Sequence, residues 1–338
     1  LGGSRPVTDV VVLGGGPAGA AAAISCAARG LRVVLVERDV FARERPGETL
    51  HPGIEPLLIQ LGIGDGLAAA TGARHDGIWI EWGGPPRFEP FGNDASGPWS
   101  GFQVWRAAFD TLLLHRARDL GVDVRQPAAA TGLLEEGGVV TDAGPIPARM
   151  IVDATGRSRW LGRQLGIASP PRSPRLIARY GYAEGSCPAR DAAPSLVGDA
   201  HGWAWTARVR PGVYQWTRLS LDEPAADADW MPEELRGLRA VTRTRGADVT
   251  WRMADKTAGP TWFMVGDAAA TLDPTSSHGV LKGLMSAMMA GHLIAAVLGG
   301  KAPAEEAASV YHTWLAGWFE TDVERLTGFY RTLGAPGF

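Results

Sequence analysis

The sequence predicts an α/β protein: a parallel-sheet, dinucleotide-binding unit, a mainly antiparallel sheet inserted into it, and a helix after both. Three observations carry that expectation. Val10-Val11-Val12-Leu13 is an apolar run suited to one buried strand, and it leads directly into Gly14-Gly15-Gly16-Pro17-Ala18-Gly19 and a helix of small residues. From Pro170 to Arg252 the pattern changes to strands with partial two-residue alternation. From Ala304 to Leu333 the apolar residues Val310, Trp314, Trp318 and Phe319 fall on one helical stripe, which reads as packing onto the body.

The glycine turn matches G-x-G-x-x-G at Gly14, Gly16 and Gly19. One glycine makes the tight turn, one admits a pyrophosphate close to the backbone, and one lets the helix pack against the strand. The helix that begins near Pro17 and Ala18 aims unpaired N–H groups and a positive dipole end at phosphates. Pro17 suits a first turn because its missing N–H would be unpaired there anyway. Gly30 caps the helix, Arg32 to Val36 is a second apolar strand, and Glu37 ends it where an acid binds a ribose hydroxyl pair. An acid favours an unphosphorylated ribose, so FAD or NAD over NADP. This is a Rossmann-like unit; the plainer alternative is a βαβ unit that uses glycine for packing alone.

Further along, Arg38 to Arg45 is a polar link, and Pro46 to Gly53 is punctuated densely enough to be an irregular loop. A short helix is expected over Ile54–Leu61, and strands over Gly77–Trp82 and Arg87–Glu89. Phe91–Gly101 reads as a mobile loop. A helix follows from Trp105 to Leu120, a strand over Gly121–Val124, a small meander over Thr131–Asp142, and a buried strand from Arg149 into the turn Asp153-Ala154-Thr155-Gly156. Strands are expected over Leu176–Ala183, Gly202–Val209, Val213–Leu221 and Asp248–Met253, with a linker over Asp222–Pro232 and a short helix over Glu233–Arg239. Trp262–Asp267 is a strand that ends in a glycine turn, and a long helix runs from Ser277 to Leu298. The nucleotide-binding domain is therefore discontinuous, over residues 5–70, 101–169 and 253–300. A substrate domain takes 71–100 and 170–252, and a helical segment 301–338.

Composition narrows the function classes. The net charge of −3 gives no reason to expect a nucleic-acid partner. Cys26 and Cys187 make no C-x-x-C and no disulfide framework, and no metal site is expected. The apolar start is a strand rather than a leader, and Leu284–Leu298 reads as too short to span a membrane, so a cytoplasmic location and no membrane partner are expected.

Two later motifs bear on chemistry. Val265-Gly266-Asp267-Ala268-Ala269 is a strand–Gly–Asp turn whose carboxylate can accept hydrogen bonds from a sugar-alcohol chain such as ribityl. Asp273-Pro274-Thr275-Ser276-Ser277-His278-Gly279-Val280 opens a long helix, whose first-turn N–H groups can stabilise negative charge on a bound ring. With the glycine turn and Trp105-Arg106-…-Phe109-Asp110, these pieces resemble FAD-dependent monooxygenases of the glutathione-reductase-like type. That group includes para-hydroxybenzoate hydroxylase, the flavin halogenases and the geranylgeranyl reductases. The resemblance covers nearly the whole chain and implies noncovalent FAD. It assigns Gly14, Gly16, Pro17, Ala18, Gly19, Glu37 and Arg38 to the adenosine-diphosphate half. Glu48, Thr49, Arg106 and Asp267 fall further along the cofactor, and Pro274, Ser277, His278, Gly279 and Val280 beside its ring.

Two features narrow the resemblance. Gly202-Trp203-Ala204-Trp205 is similar to the W-x-W motif of halogenases and geranylgeranyl reductases, but Ala207-Arg208-Val209 stands where Ile-Pro would follow. Period two puts both tryptophans on one face, so a packing role is preferred. Arg45–Gly53 together with Asp273–Leu281 resembles the flavoproteins that mature tryptophylquinone enzymes, partners of lysine and glycine oxidases and quinohaemoprotein amine dehydrogenases. The implied substrate is a tryptophan side chain in a partner polypeptide, and the reaction is ring hydroxylation. A tryptophan halogenase of this fold uses a lysine from its N-terminal half, whereas the first lysine here is Lys256, which argues against halogenation.

The expected activity is an FAD-dependent monooxygenase that uses O₂. NAD(P)H or a separate flavin reductase supplies electrons, and the Asp153–Gly156 turn, unlike the Asp-Gly turn of nicotinamide-using hydroxylases, disfavours direct reduction. His278 and His51 are candidate proton shuttles, with helix capping as the bland alternative. Glu48 is a candidate for a proton relay, for cofactor hydroxyls, or for solvent. A wide cleft is expected, with Trp79, Trp82, Trp203, Trp205 and Trp216 as its lining. The competing functions are a small-molecule aromatic hydroxylase or halogenase, a prenyl-chain reductase, and a non-catalytic flavin-binding chaperone.

Overall fold

A computed structural model describes residues 8–43, 45–95, 97–221 and 230–338. Its first sheet is built around β1 (Thr8–Leu13), which lies parallel between β2 (Val33–Val36) and the Gly144–Asp153 strand. The Asp123–Arg125 and Trp262–Met264 strands extend it in parallel, and Gly138–Thr141 and Ala130–Leu133 add an antiparallel edge. Both faces of β1 are covered, which is why its sequence is a continuous apolar run. Val10 and Val12 face the helices, while Val11 and Leu13 face Val34, Val36, Val139 and Ile146.

Four helices of ten residues or more stand among the described residues: α1 (Pro17–Ala27), α2 (Arg106–Asp119), α3 (Gly279–Leu298) and α4 (Ala304–Thr332). The alanines of α1 let α3 approach closely. A Cβ on Gly291 of α3 would fall 2.5 Å from the Ser25 Oγ of α1. The Ser25 hydroxyl donates to the Met288 carbonyl at 3.4 Å, across 263 positions of sequence. α3 begins two residues later than expected, and its 20 residues are long and apolar enough, by length and composition, to cross a membrane, which the Leu284–Leu298 stretch read from the sequence was not. Ala287, Ala290, Gly291 and Ile294 nonetheless bury one of its faces, as a core helix does.

The second sheet runs Arg239–Ala240, Ile177–Glu184, Val213–Ser220, Gly202–Arg210, Ser195–Asp199, Gly77–Trp82, Arg87–Pro90, with Arg245–Asp248 also on Ile177–Glu184. It is antiparallel except where Ser195–Asp199 meets Gly77–Trp82. A three-stranded sheet of Thr49–Leu50, Gly101–Val104 and Thr71–His75 pairs with neither but packs on the Gly202–Arg210 strand, so closely that a Cβ on Gly72 would fall 1.8 Å from the Val209 carbonyl oxygen.

Several expectations need correction. Thr71–His75, Gly101–Val104 and Ser195–Asp199 are strands not read from the sequence, because each is short and borders glycine or proline. The helix expected over Glu233–Arg239 is only a 3₁₀ turn at Glu233–Leu235; Gly237, at φ +93°, ends it. The Phe91–Gly101 loop contains a paired two-residue hairpin, Asn93–Asp94 with Gly97–Pro98. Of the linker expected over Asp222–Pro232, residues 222–229 lie outside the described residues.

Candidate active site

β1 ends at Gly14, whose φ of +102° favours glycine and whose Cβ would fall 2.4 Å from the Ala154 carbonyl oxygen. A Cβ on Gly19 would meet the Gly14 carbonyl at 1.8 Å. These two glycines therefore allow the turn, the helix and the Asp153–Gly156 turn to touch. Asp153 is fully buried and fixes its own turn, accepting from Thr155 N–H (2.9 Å), Thr155 Oγ1–H (2.7 Å) and Leu161 N–H (2.8 Å). Gly16 serves a different purpose. It caps α1 without a side-chain bond, and a Cβ there would meet only the Arg43 guanidinium, at 3.6 Å. The first-turn amides of α1, from Ala18 onward, thus open on a cation, which makes a seat for a diphosphate.

Glu37 is 3% exposed. Its carboxylate accepts from Gly15 N–H at 2.6 Å and Asp39 N–H at 2.8 Å and pairs with Arg43 at 3.3 Å. It braces the glycine turn, and a carboxylate has further lone pairs for a hydroxyl pair. Arg38 stands at the exposed rim, 4.0 Å from Asp39.

The Trp262–Met264 strand delivers Gly266 and Asp267 to the start of α1: a Cβ on Gly266 would touch Ala18 Cβ at 3.0 Å. Gly266 N–H is held by Ser286 Oγ at 3.0 Å. Asp267 lines a cleft together with Gly266, Gly279, Lys282, Ser286 and Trp318. Desolvation by the cleft walls pushes its carboxyl above the usual range, against the pull of Arg157 and Arg106. Arg106 is nearly buried. It forms a two-point pair with Asp110 (2.8 and 3.0 Å) and donates to the Pro46 carbonyl at 2.6 Å, so it anchors the loop that carries Glu48. Thr49 Oγ1–H donates to Gln103 Oε1 at 3.0 Å.

Glu48 does not face solvent: it is 3% exposed and accepts from Gly47 N–H at 2.8 Å and from the Tyr182 hydroxyl of the second sheet. Burial raises its carboxyl, while Tyr182 and Arg106 oppose the rise. The aromatic lining is also corrected. Trp203 and Trp216 are core residues, Trp205 packs beside Trp203's cluster, Trp82 donates to Phe329 O and Thr332 Oγ1, and Trp79 faces outward against Phe88. None of the five lines the Asp267 cleft, which is walled by α3 and α4 and not by the second sheet.

At the far end, Asp273 caps the Pro274–Ser276 turn, accepting from Thr275 N–H at 2.8 Å. Ser277 follows in the left-handed region at φ +51°, a costly conformation for a non-glycine residue, and His278, Gly279 and Val280 begin α3. His51 Nδ1 accepts from Gly53 N–H at 3.0 Å, so it caps its own 3₁₀ turn, and its ring centroid lies 5.0 Å from that of His278. Burial, then His51, Lys282 and Arg325, pull His278 down to about 4. Burial and Arg325 also lower His51. Both rings are therefore neutral near pH 7.

Three residues near this site were not singled out from the sequence. Arg43 lies over Gly16. Lys282 reaches the cleft one turn beyond Gly279, pairs with Asp322 and lies 4.4 Å over the Trp318 ring; burial, then Arg325, draws its ammonium down to about 8. His75 is 5% exposed and 5.6 Å from Phe91, which lies 6.2 Å from His51. Neither ring nitrogen of His75 has a partner among the described residues. Only the i, i+3 spacing of Gly279 and Lys282 was visible as a signal. The open helix start beside a guanidinium and the Asp267 carboxylate in the cleft fit FAD.

Residues 7–166 match the FAD binding domain family. A tryptophan 2-halogenase from Chondromyces crocatus is 28% identical over 92% of this chain, and the chain spans 66% of that protein's length. An anhydrotetracycline monooxygenase from Streptomyces rimosus is 27% identical over 88% of the chain and 64% of its own length. Among solved structures, the myxobacterial chondrochloren halogenase CndH superposes with a TM-score of 0.87 at 26% identity, over 96% of this chain and 83% of that one. The peptidyl tryptophan dihydroxylase QhpG superposes at 0.74 with 23% identity, over 97% and 76%, a likeness of fold. The chain carries an FAD-binding domain over residues 7–166, is similar over most of its length to halogenases and monooxygenases, and is an FAD-dependent oxidoreductase.

Proposed function

We propose that this FAD-dependent oxidoreductase halogenates or hydroxylates an electron-rich aromatic ring in a small molecule. The observation that carries the reading is the reach of the likeness. The halogenase and monooxygenase relatives match over 92% and 88% of the chain, so the inserted sheet is shared as well as the nucleotide-binding part. Bound FAD, reduced by NAD(P)H or by a separate flavin reductase, supplies the electrons that make O₂ an electrophilic oxygen donor.

On this reading residues 5–70, 101–169 and 253–300 hold the cofactor, 71–100 and 170–252 face the substrate, and 301–338 pack behind. The amides of α1 with Arg43 bind the diphosphate, Glu37 the ribose, and Asp267 the ribityl hydroxyls. The turn from Pro274 to Val280 holds the ring edge, and the neutral His278 and His51 take up a proton. Lys282 supports the halogenation arm, because α3 brings to the cleft an amine that the N-terminal half lacks.

The second reading, hydroxylation of a tryptophan in a partner polypeptide during tryptophylquinone formation, draws on the Arg45–Gly53 and Asp273–Leu281 segments and on the shared fold with QhpG. One assay separates the readings. The holoenzyme is incubated with a flavin reductase, NADH, ¹⁸O₂, and chloride or bromide, against free tryptophan, indole and phenols, and against a tryptophan-bearing polypeptide. Halogen or labelled oxygen on a small aromatic is the expected result. Label on the polypeptide alone makes the second reading correct. Turnover without O₂ consumption points to a prenyl-type reductase, and no turnover at all to a flavin-binding chaperone.

A further inference from the structure

We propose that Tyr330 is a positioning residue: through its hydroxyl, the last turns of α4 hold the Pro274–Ser276 turn against the inserted sheet and so set where His278, Gly279 and Val280 stand. The proposal rests on the reading that places the cofactor ring beside those residues.

Asp273 is 1% exposed. One of its oxygens caps the turn, accepting from Thr275 N–H at 2.8 Å. The other accepts from Trp251 Nε1–H at 2.6 Å and from the Tyr330 hydroxyl at 3.1 Å. The Tyr330 oxygen in turn accepts from Trp203 Nε1–H at 2.8 Å. An indole N–H only donates, so the Tyr330 oxygen accepts from Trp203 and turns its own O–H toward Asp273; the same oxygen also lies 3.4 Å from Thr275 Oγ1. The chain of bonds thus runs one way, from Trp203 of the Gly202–Arg210 strand, through α4, to the acid that caps the turn. Every member is buried.

The ring of Tyr330 is held separately. It stacks on Phe338 at 4.4 Å and meets Trp82 edge-on at 6.3 Å. A phenylalanine would keep those contacts and fill the same space. What it would lose is polar: Trp203 Nε1–H would have no acceptor and Asp273 one donor fewer. The turn is also the kind that needs holding, since Ser277 leaves it in the left-handed region. The first tryptophan of the W-x-W motif therefore has a task beyond packing: it orients the hydroxyl that orients the cap.

The test compares Tyr330→Phe with Phe338→Ala, which removes stacking but no hydrogen bond, and with Asp273→Asn alone and combined with Tyr330→Phe. Each is read by FAD titration, the visible spectrum of bound FAD, and Tm. Tyr330→Phe should weaken FAD binding about fivefold, the size of one buried hydrogen bond, and alter the visible band. Phe338→Ala should lower Tm and leave the band unchanged. In the Asp273→Asn background, Tyr330→Phe should add no further loss. A wild-type flavin spectrum and affinity in Tyr330→Phe, or losses that add fully to those of Asp273→Asn, would overturn the proposal. If Tyr330→Phe fails to fold, the spectrum of the Phe338→Ala holoenzyme decides, since a shifted band there assigns the effect to packing. A wild-type protein that binds no FAD overturns the flavin reading itself, and the proposal with it.

Discussion

At the scale of single residues, the site depends on groups whose surroundings set their charge. Asp267 stands in the cleft, where burial raises its carboxyl against the pull of Arg157 and Arg106. Asp267→Ala should weaken FAD by about 1.5–3 kcal/mol, roughly ten- to hundredfold, the cost of a lost charged hydrogen bond. Fluorescence titration checks this, with the apoprotein Tm unchanged. His75 and His278 are both pulled from 6.5 to about 4 by burial. A group with a depressed folded value contributes stability above its unfolded value and loses it as pH falls through the folded one. Tm should therefore fall between pH 6.5 and 4, and a variant with both histidines replaced by Phe should show a flatter profile. Glu48 has the opposite sign, since burial raises it: its contribution is fullest below the usual carboxylate range and is lost as pH rises through its folded value. Sequence spacing identified the glycines and Asp267 because they belong to local motifs. His75 and Arg43 were hidden because only tertiary folding brings a strand end beside Phe91, or a polar link over Gly16.

At the scale of elements, glycine has two roles that one substitution each can separate. A Cβ on Gly291 would fall 2.5 Å from Ser25 Oγ and 2.7 Å from Ser25 Cβ, so Gly291→Ala should prise α3 from α1 and cost about 1–3 kcal/mol in denaturant unfolding. A Cβ on Gly279 would meet nothing within 4 Å. Gly279→Ala should leave stability unchanged or raise it by up to about 1 kcal/mol, while FAD affinity falls if the ring edge lies against that backbone. Unfolding and FAD titration on the same two proteins separate packing from binding. The long helices and the doubly buried strands were legible because periodicity and apolar runs are strong there. The two- to five-residue strands were not, since they are too short to show a period: Thr49–Leu50 is ordered by the distant Gly101–Val104, and Ser195–Asp199 by the adjoining Gly202–Arg210 as well as by the distant Gly77–Trp82.

At the scale of the whole molecule, the general plan of a glycine-turn unit interrupted by a second sheet was readable, because each sheet writes its own pattern. The joints between the sheets were not: Glu48 to Tyr182, and Trp203 through Tyr330 to Asp273, join residues that no local rule relates. The contact between Ser25 and Met288 spans 263 positions, and it has a consequence for biosynthesis. Domains tend to fold as they emerge, at about 5–20 residues per second, so α1 would be on the outside of the ribosome for roughly ten seconds to a minute before α3 arrives to cover it. During that interval its alanine face has no partner, and the diphosphate seat exists without Asp267. The nascent protein must either be shielded by a chaperone or tolerate a half-built nucleotide site, and FAD would be captured only after α3 has emerged. Ribosome-bound chains arrested with Gly279 still inside the exit tunnel should retain no flavin, whereas chains extended so that Phe338 has cleared it should; fluorescence of washed nascent-chain complexes measures the difference.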